Sequence, residues 1–377
     1  WDARTGKQLS HALVHGGPIN SAVFNEQGTR VLTGSEDGTA RVWNASTGEP
    51  IDPPLHHGKS VTGAWFSSDA TRVLTIGRDG RGLIWDAATH IQIGKALRHV
   101  DGIRSAAFSP DGTRIATAPN DHGARLWDSR TGDPIGRVLQ HEKGVNTVAF
   151  GGDGKLIVSA SDDQTARIWD AFTGEPHGPP LRHQGPVFDA EFSHDGKWIV
   201  TASKDGNVRV WSVASGQLVG SLMRHDGAVR TARFSPDDRL IVSAAEDGTA
   251  RLWLAQIGQY FGMLLVHRAA VNRASFGADA HTIVTASDDG SARLWTIPRA
   301  QANDAATLAD LAEAVSRQTI GNWGELVALP NRDSIIARLR THSTQQRAST
   351  SDLDRMLAEL FSAHDAPPQQ AAAHPSR

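Results

Sequence analysis

Eight tryptophans stand at positions 1, 43, 85, 127, 169, 211, 253 and 295, a period of 42 residues without insertion or deletion. A fixed period of roughly 20–50 residues marks a repeat architecture, in which one unit cannot bury its own apolar face and neighbours must stack. The seven intervals also align the chain with itself, separating positions that every unit needs from positions that are free. A chain of 377 residues would otherwise suggest two or three domains of about 150 residues each. Stacked units sharing one continuous core override that expectation.

Within each unit, short apolar runs alternate with turn chemistry. One run ends at Phe24, Phe66, Phe108, Phe150, Phe192, Phe234 and Phe276, and the next opens on Val or Ile in every unit, as in Val31-Leu32-Thr33 and Ile157-Val158-Ser159. Segments such as Ser109-Pro110-Asp111-Gly112 and Asp37-Gly38 suit tight hairpins between runs. A third run carries Arg41-Val42-Trp43, and a weaker fourth follows near residues 51–55. Four short, nearly continuous apolar runs per 42 residues predict small antiparallel sheets buried on both faces.

Four further columns recur in all seven units. They are His15, His57, His99, His141, His183, His225 and His267; Thr33, Thr75, Thr117, Ser159, Thr201, Ser243 and Thr285; Asp37, Asp79, Asp121, Asp163, Asp205, Asp247 and Asp289; and Trp43, Trp85, Trp127, Trp169, Trp211, Trp253 and Trp295. Over residues 1–296 this pattern resembles the WD-repeat family, and the resemblance implies blades tied by a hydrogen-bonded Asp–His–Ser/Thr–Trp tetrad. Two features depart from the family pattern. The glycine before the histidine is replaced, for example by Val14 and Arg98, and the Trp-Asp pair survives only at residues 1–2, 85–86, 127–128 and 169–170. A buried indole removes about 150–250 Å² from water but still needs an acceptor for its N–H, which a Ser/Thr hydroxyl supplies.

Seven copies of the first three strands lie between Ile19 and Trp295, and the first fourth-strand segment, Lys7–Leu13, precedes them all. In the resembled family such a segment completes the last blade. The expected fold is therefore all-β, a seven-bladed WD-repeat β-propeller over residues 1–298 closed by the N-terminal strand. The period then stops. Leu308, Leu311, Ala312 and Val315 read as one helical face, Ile335, Ile336 and Leu339 as a second, and Leu353, Met356, Leu357, Leu360 and Phe361 as a third. A helical C-terminal extension over residues 299–365 is expected, able to dock on the propeller or to bind another domain. Residues 366–377, rich in Ala, Pro and Gln, read as disordered.

Composition and motifs narrow the function. With 38 basic and 41 acidic residues the chain has no charge footprint for nucleic acid or an anionic membrane. No apolar run is long enough to span a bilayer, and a cytoplasmic location is expected. The absence of cysteine excludes disulfides and thiolate-bound zinc. A catalytic reading would need one asymmetric constellation, whereas the His–Asp sets repeat in every unit. No His-Glu-x-x-His or Gly-x-Ser-x-Gly motif is present. Gly58-Lys59-Ser60 ends like a phosphate-binding loop, but Pro53 stands where its first glycine belongs. No enzyme, metal or cofactor is expected.

Specificity must then lie in columns that vary. Four residues before the Phe column the chain reads Asn20, Thr62, Arg104, Asn146, Phe188, Arg230 and Asn272. Phe188 is the apolar exception, either an exposed anchor or local core packing. Units two and three deviate most, with Ile76, Gly77, Arg81, Leu83, Pro119 and His122 odd in their columns. Lys59, Arg78 and Arg104 would make that sector basic on the rim where the resemblance places partners. The sector reads either as relaxed repeat drift or as a site for an acidic peptide or domain. Candidate partner-binding residues are Lys59, Arg78, Arg104, His122, Phe188 and Arg230.

The repeat style, as in Thr173-Gly174-Glu175-Pro176, is similar to bacterial WD-repeat regions that follow NACHT/STAND-type NTPase or Ser/Thr kinase domains. The chain opens on Trp1-Asp2, a repeat ending, without an initiator methionine, so an upstream effector domain is expected. The leading expectation is a non-catalytic protein-interaction platform or sensor. The alternatives are an independent propeller enzyme of hydrolase type and a stand-alone assembly scaffold.

Overall fold

A computed structural model describes residues 8, 10–51, 53–297, 318–320 and 326–328. The chain divides into two units, Trp1–Trp295 and Thr296–Arg377. The first unit contains six four-stranded antiparallel meanders and, among the described residues, a three-stranded seventh. Blade 4 is representative, with Val145–Phe150, Leu156–Ser161, Thr165–Asp170 and Leu181–Arg182 pairing in sequence order. The fourth strands of blades 1 and 4 shrink to two residues, Leu55–His56 and Leu181–Arg182, whereas Gln92–Arg98 and Leu218–Arg224 have seven. The Pro53-Pro54 and Pro179-Pro180 pairs explain this, because proline has no N–H to give to a ladder.

The core lies between blades rather than within them. Leu32, Val42 and Leu55 of blade 1 pack with Ala64, Val73 and Trp85 of blade 2, and Val158, Ile168 and Leu181 of blade 4 pack with Val187, Ile199 and Trp211 of blade 5. Both sheet faces are thereby covered, and each unit depends on its neighbours. Two arginines reinforce the stacking. Arg72 donates to Gly112 O and Ser129 Oγ at 2.8 and 3.1 Å, and Arg114 donates to Gly154 O and Ala171 O at 2.9 Å each, one blade further on.

The junction between blades 7 and 1 differs. Phe24 is 66% exposed where Phe234 is 3%, and Leu294 is 43% exposed where Leu252 is fully buried. Of the segment expected to complete blade 7, Lys7 and Leu9 lie outside the described residues, and the seventh sheet keeps three strands among those described. The segment nonetheless sits in repeat register. His11 N donates to Thr47 O at 3.2 Å, as Lys95 N does to Thr131 O at 2.8 Å and Ser221 N to Ile257 O at 3.0 Å.

The expected α-helical C-terminal tail is corrected. Beyond Ile297 the described residues form two paired antiparallel strands, Gln318–Ile320 and Leu326–Ala328, and no helix occurs among the described residues. The helical periodicity overlooked a local strand signal here: β-branched Thr319, Ile320 and Val327 flank a link containing Gly321, Asn322 and Gly324, which suits a reversal. The three apolar faces proposed for helices, and residues 366–377, lie outside the described residues.

Candidate functional site: tetrads, rim and central channel

Each indole N–H meets the hydroxyl ten residues before it. Trp43 donates to Thr33 Oγ1 at 2.7 Å, Trp169 to Ser159 Oγ at 2.8 Å and Trp295 to Thr285 Oγ1 at 2.8 Å. The same hydroxyls contact histidine, with Nε2 of His15, His141 and His267 at 2.7 Å from Thr33, Ser159 and Thr285. Nδ1 of these rings faces the Asp carboxylates of Asp37, Asp163 and Asp289 at 3.0, 2.8 and 3.1 Å. One proton order satisfies every group: the indole donates to the hydroxyl, the hydroxyl to Nε2, and Nδ1–H to the carboxylate. The aspartate also fixes its own turn, as Asp37 accepts from the amides of Gly16 and Thr39 at 2.8 and 2.9 Å.

Blade 2 wires its tetrad the other way round. His57 turns Nδ1 to Thr75 Oγ1 at 2.8 Å and Nε2 to Asp79 at 3.4 Å, while Arg81 Nε takes Asp79 Oδ2 at 2.6 Å. Gly77 permits this, since a β-carbon there would collide with the His57 ring and the Asp79 carboxylate. Gly77 stands where most blades carry a small hydroxyl such as Ser35 or Ser161.

The tetrads are sealed. All seven imidazole side chains have no exposed surface. Burial pushes the imidazoles of His57, His99, His183 and His225 below 6.5, outweighing the attraction of their aspartates. Burial also pushes the Asp163 carboxyl up, but bonds from His141 and Thr165 outweigh it and hold the group well below its ordinary value. A fully buried imidazole held between a hydroxyl and a carboxylate serves to tie the turn to the strands of its blade. Among the described residues no group of three His, Asp or Glu could hold a metal ion, and no helix is long and apolar enough to cross a membrane.

What varies between blades is brought together at the channel. Every innermost strand has its register broken by one residue, and that residue is Asn20, Thr62, Arg104, Asn146, Phe188, Arg230 or Asn272. A bulge re-aims a side chain, and here all seven line the channel. Arg104 Nη1 reaches Asp162 at 2.8 Å and also bonds Asn146, while its Nε bonds Asn120. Arg230 Nη2 pairs with Glu246 at 3.1 Å, and Asn146 Nδ2 crosses to Val187 O at 2.8 Å. Phe188 is half-buried in the channel wall. Lys59, Arg78 and His122 are exposed, and neither Lys59 nor Arg78 has a carboxylate partner among the described residues. The expected basic sector is thus divided: Arg104 is committed to a rim network, whereas Lys59 and Arg78 are not.

Deeper in the channel stand residues that the sequence reading did not single out. Arg233 bridges Asp189 and Glu191, bonding the former through Nη1 and the latter through Nε at 2.9 Å. Burial raises the Glu191 carboxyl to about 7 against the opposing pull of Arg233. Opposite in character, Trp65 lays its indole over Gly63. The signal was present in the aligned columns: Asp189 shares its column with Ser21, Ser105 and Thr147, and Trp65 shares its column with Ala107 and Ala149.

The sequence profile described as WD domain, G-beta repeat matches residues 6–44, 93–128, 132–170, 180–212, 216–253 and 258–296, more than half of the chain. With seven tetrad-bearing sheets in succession, the chain belongs to this family of WD-repeat β-propellers, and as such it is a non-catalytic propeller. Such a propeller is consistent with a protein-interaction or scaffold role. The stretch left unmatched between residues 44 and 93 holds most of blade 2, which carries both the rewired tetrad and the Gly63–Trp65 pair. A comparison with curated proteins finds no match.

Proposed function

We propose that the chain binds an acidic peptide or domain on the rim over blades 2 and 3. The observation that carries this reading is that exposed Arg78 lines a depression with Val100, which is 87% exposed, while Arg78 and exposed Lys59 form no ion pair among the described residues. The depression, of about 520 Å³, is lined by Thr62, Arg78, Val100, Asp101, Arg104 and Asn120. An apolar contact next to a cation that forms no ion pair among the described residues suits an extended segment carrying an acidic and an apolar side chain. Arg104, held by Asp162, shapes the floor of this depression rather than offering free charge.

In this reading the propeller is the cytoplasmic sensor module of a larger bacterial signalling protein, and the partner's arrival is passed to an effector domain. The repeat style supports the placement. Nucleotide-binding or kinase motifs in the reading frame upstream of Trp1 would test it, and a frame without them would overturn it.

Affinity capture with the intact chain, repeated with Lys59→Glu and Arg78→Glu together, tests the rim. The expected result is loss of the captured partner, with thermal stability unchanged. Undiminished capture of every partner by the doubly reversed protein would remove the rim from consideration.

A further inference from the structure

The central channel is where the repeat is broken most completely. A chain of seven like units needs nothing special on its channel wall, and in blades 1 and 4 that wall is small, as at Ser21, Val23, Thr147 and Ala149. The cavity measures about 740 Å³, within the roughly 300–1,000 Å³ typical of small-molecule sites. One part of its lining is aromatic. Trp65 is the aromatic residue in a column that elsewhere reads Val23, Ala107, Ala149, Glu191, Arg233 and Ser275, and its neighbour Gly63 lacks the side chain that would otherwise displace the indole.

Another part carries charge that the protein does not neutralise. Arg104 is matched by Asp162, Arg230 by Glu246, and Arg233 by Asp189 and Glu191. Arg273, in the same column as Ser21 and Ser105, has neither an ion pair nor a hydrogen bond among the described residues, yet it lines the cavity. Arg273, on the innermost strand Val271–Phe276, thus offers the channel a guanidinium that no carboxylate or carbonyl claims among the described residues.

We propose that the channel binds a small aromatic anion, its planar ring against Trp65 and its phosphate or carboxylate held by Arg273. The two carboxylates of the channel do not oppose this, because Arg233 already spans both. A cationic ligand is disfavoured by the same arrangement, since it would meet Arg273 and find no free carboxylate. The channel adjoins the rim depression over blades 2 and 3 and shares Thr62 and Arg104 with it, but Trp65 and Arg273 line the channel and not the depression, so either site can exist without the other.

The test is isothermal titration of the full chain with 1-naphthyl phosphate, with inorganic phosphate and 1-naphthol titrated separately. Two variants put back residue types found in the same columns of other blades: Arg273→Ser, matching Ser105, and the pair Gly63→Ser with Trp65→Ala, matching Ser105 and Ala107. Both are expected to fold, because the repeat already accommodates those side chains. Saturable one-to-one binding of 1-naphthyl phosphate is expected, weakened about tenfold or more in each variant. The two half-ligands should bind at least about tenfold more weakly than the whole. Absence of saturable binding by the unaltered chain would overturn the proposal, as would affinity in both variants undiminished from that of the unaltered chain. Inorganic phosphate binding as tightly as the aromatic ester would overturn the role of Trp65.

Discussion

Gly63 lies directly beneath the indole of Trp65, so closely that a β-carbon on the glycine would collide with the six-membered ring. The two residues are one structural decision. The tryptophan can lie along the channel wall only because the position two residues before it has no side chain. Gly63→Ala should therefore destabilise the protein by about 1–3 kcal/mol through overpacking. Adding Trp65→Ala should recover most of that loss, and chemical denaturation of the two variants measures both terms. A Gly63→Ala protein as stable as the original would mean that the indole is free to move aside.

The tetrads predict a different kind of loss. His183 Nε2 contacts Thr201 Oγ1 at 2.8 Å, and its Nδ1 contacts Asp205 at 3.3 Å. His183→Ala leaves both groups short of a partner inside blade 5, at a cost of about 1–3 kcal/mol for each orphaned group. Binding at the rim should persist at temperatures where the variant remains folded. A melting midpoint equal to that of the unaltered protein would show the relay to be dispensable.

Acid should unfold the propeller in two stages. The folded state holds His57, His99, His183 and His225 below their ordinary 6.5, so the unfolded chain binds protons more readily. Stability is then lost as pH falls below about 6.5. A second loss begins below 3.8, where the unfolded chain protonates carboxylates that Asp37, Asp163 and Asp205 keep ionised in the fold. Melting temperature followed from pH 8 downward tests this, and a flat profile between pH 6.5 and 4.5 would contradict the first stage.

Glu191 works with the opposite sign. Its carboxyl rises from 4.5 to about 7 on folding, so the folded state binds the proton more tightly and this group costs stability as pH rises from 4.5 to 7. Glu191→Gln can still accept from Arg233 Nε and should remove that cost. The variant is expected to gain stability relative to the unaltered protein as pH climbs towards 8. An unchanged difference across that range would show that the channel solvates the carboxylate fully.

Between blades, Arg114 is a latch that carries two carbonyl bonds. The column also contains Leu156 and Leu240, so Arg114→Leu is sterically familiar to the fold. It should cost about 1–3 kcal/mol by leaving Gly154 O and Ala171 O without their donor. Hydrogen exchange should report faster opening at the junction of blades 3 and 4 than at the junction of blades 5 and 6.

The tryptophan ladder made the blades, the tetrads and their order legible, because a sheet too small to bury itself forces the same contacts in each unit. The same ladder concealed the channel. Asn20, Arg104 and Phe188 were recognised as a varying column, but nothing in the linear pattern marks them as the extra residue of a bulge, since a bulge is defined by the partner strand. Basic character over blades 2 and 3 was also legible. That Asp162 of the fourth blade claims Arg104 was not, because the two are 58 residues apart. The helical reading of the tail failed at Gln318–Ile320 and Leu326–Ala328, where local strand and turn propensities prevailed.

By itself the sequence determined a repeating all-β protein, its unit length, and the residues that hold each unit, because those follow from a period and from the needs of a buried indole. Only the tertiary structure decided which charges are spent and which remain. Arg233, Arg104 and Arg230 meet carboxylates brought to them by strand and blade packing, while Arg273 meets none among the described residues. Electrostatic neutralisation depends on distances of a few ångströms between residues far apart in the chain.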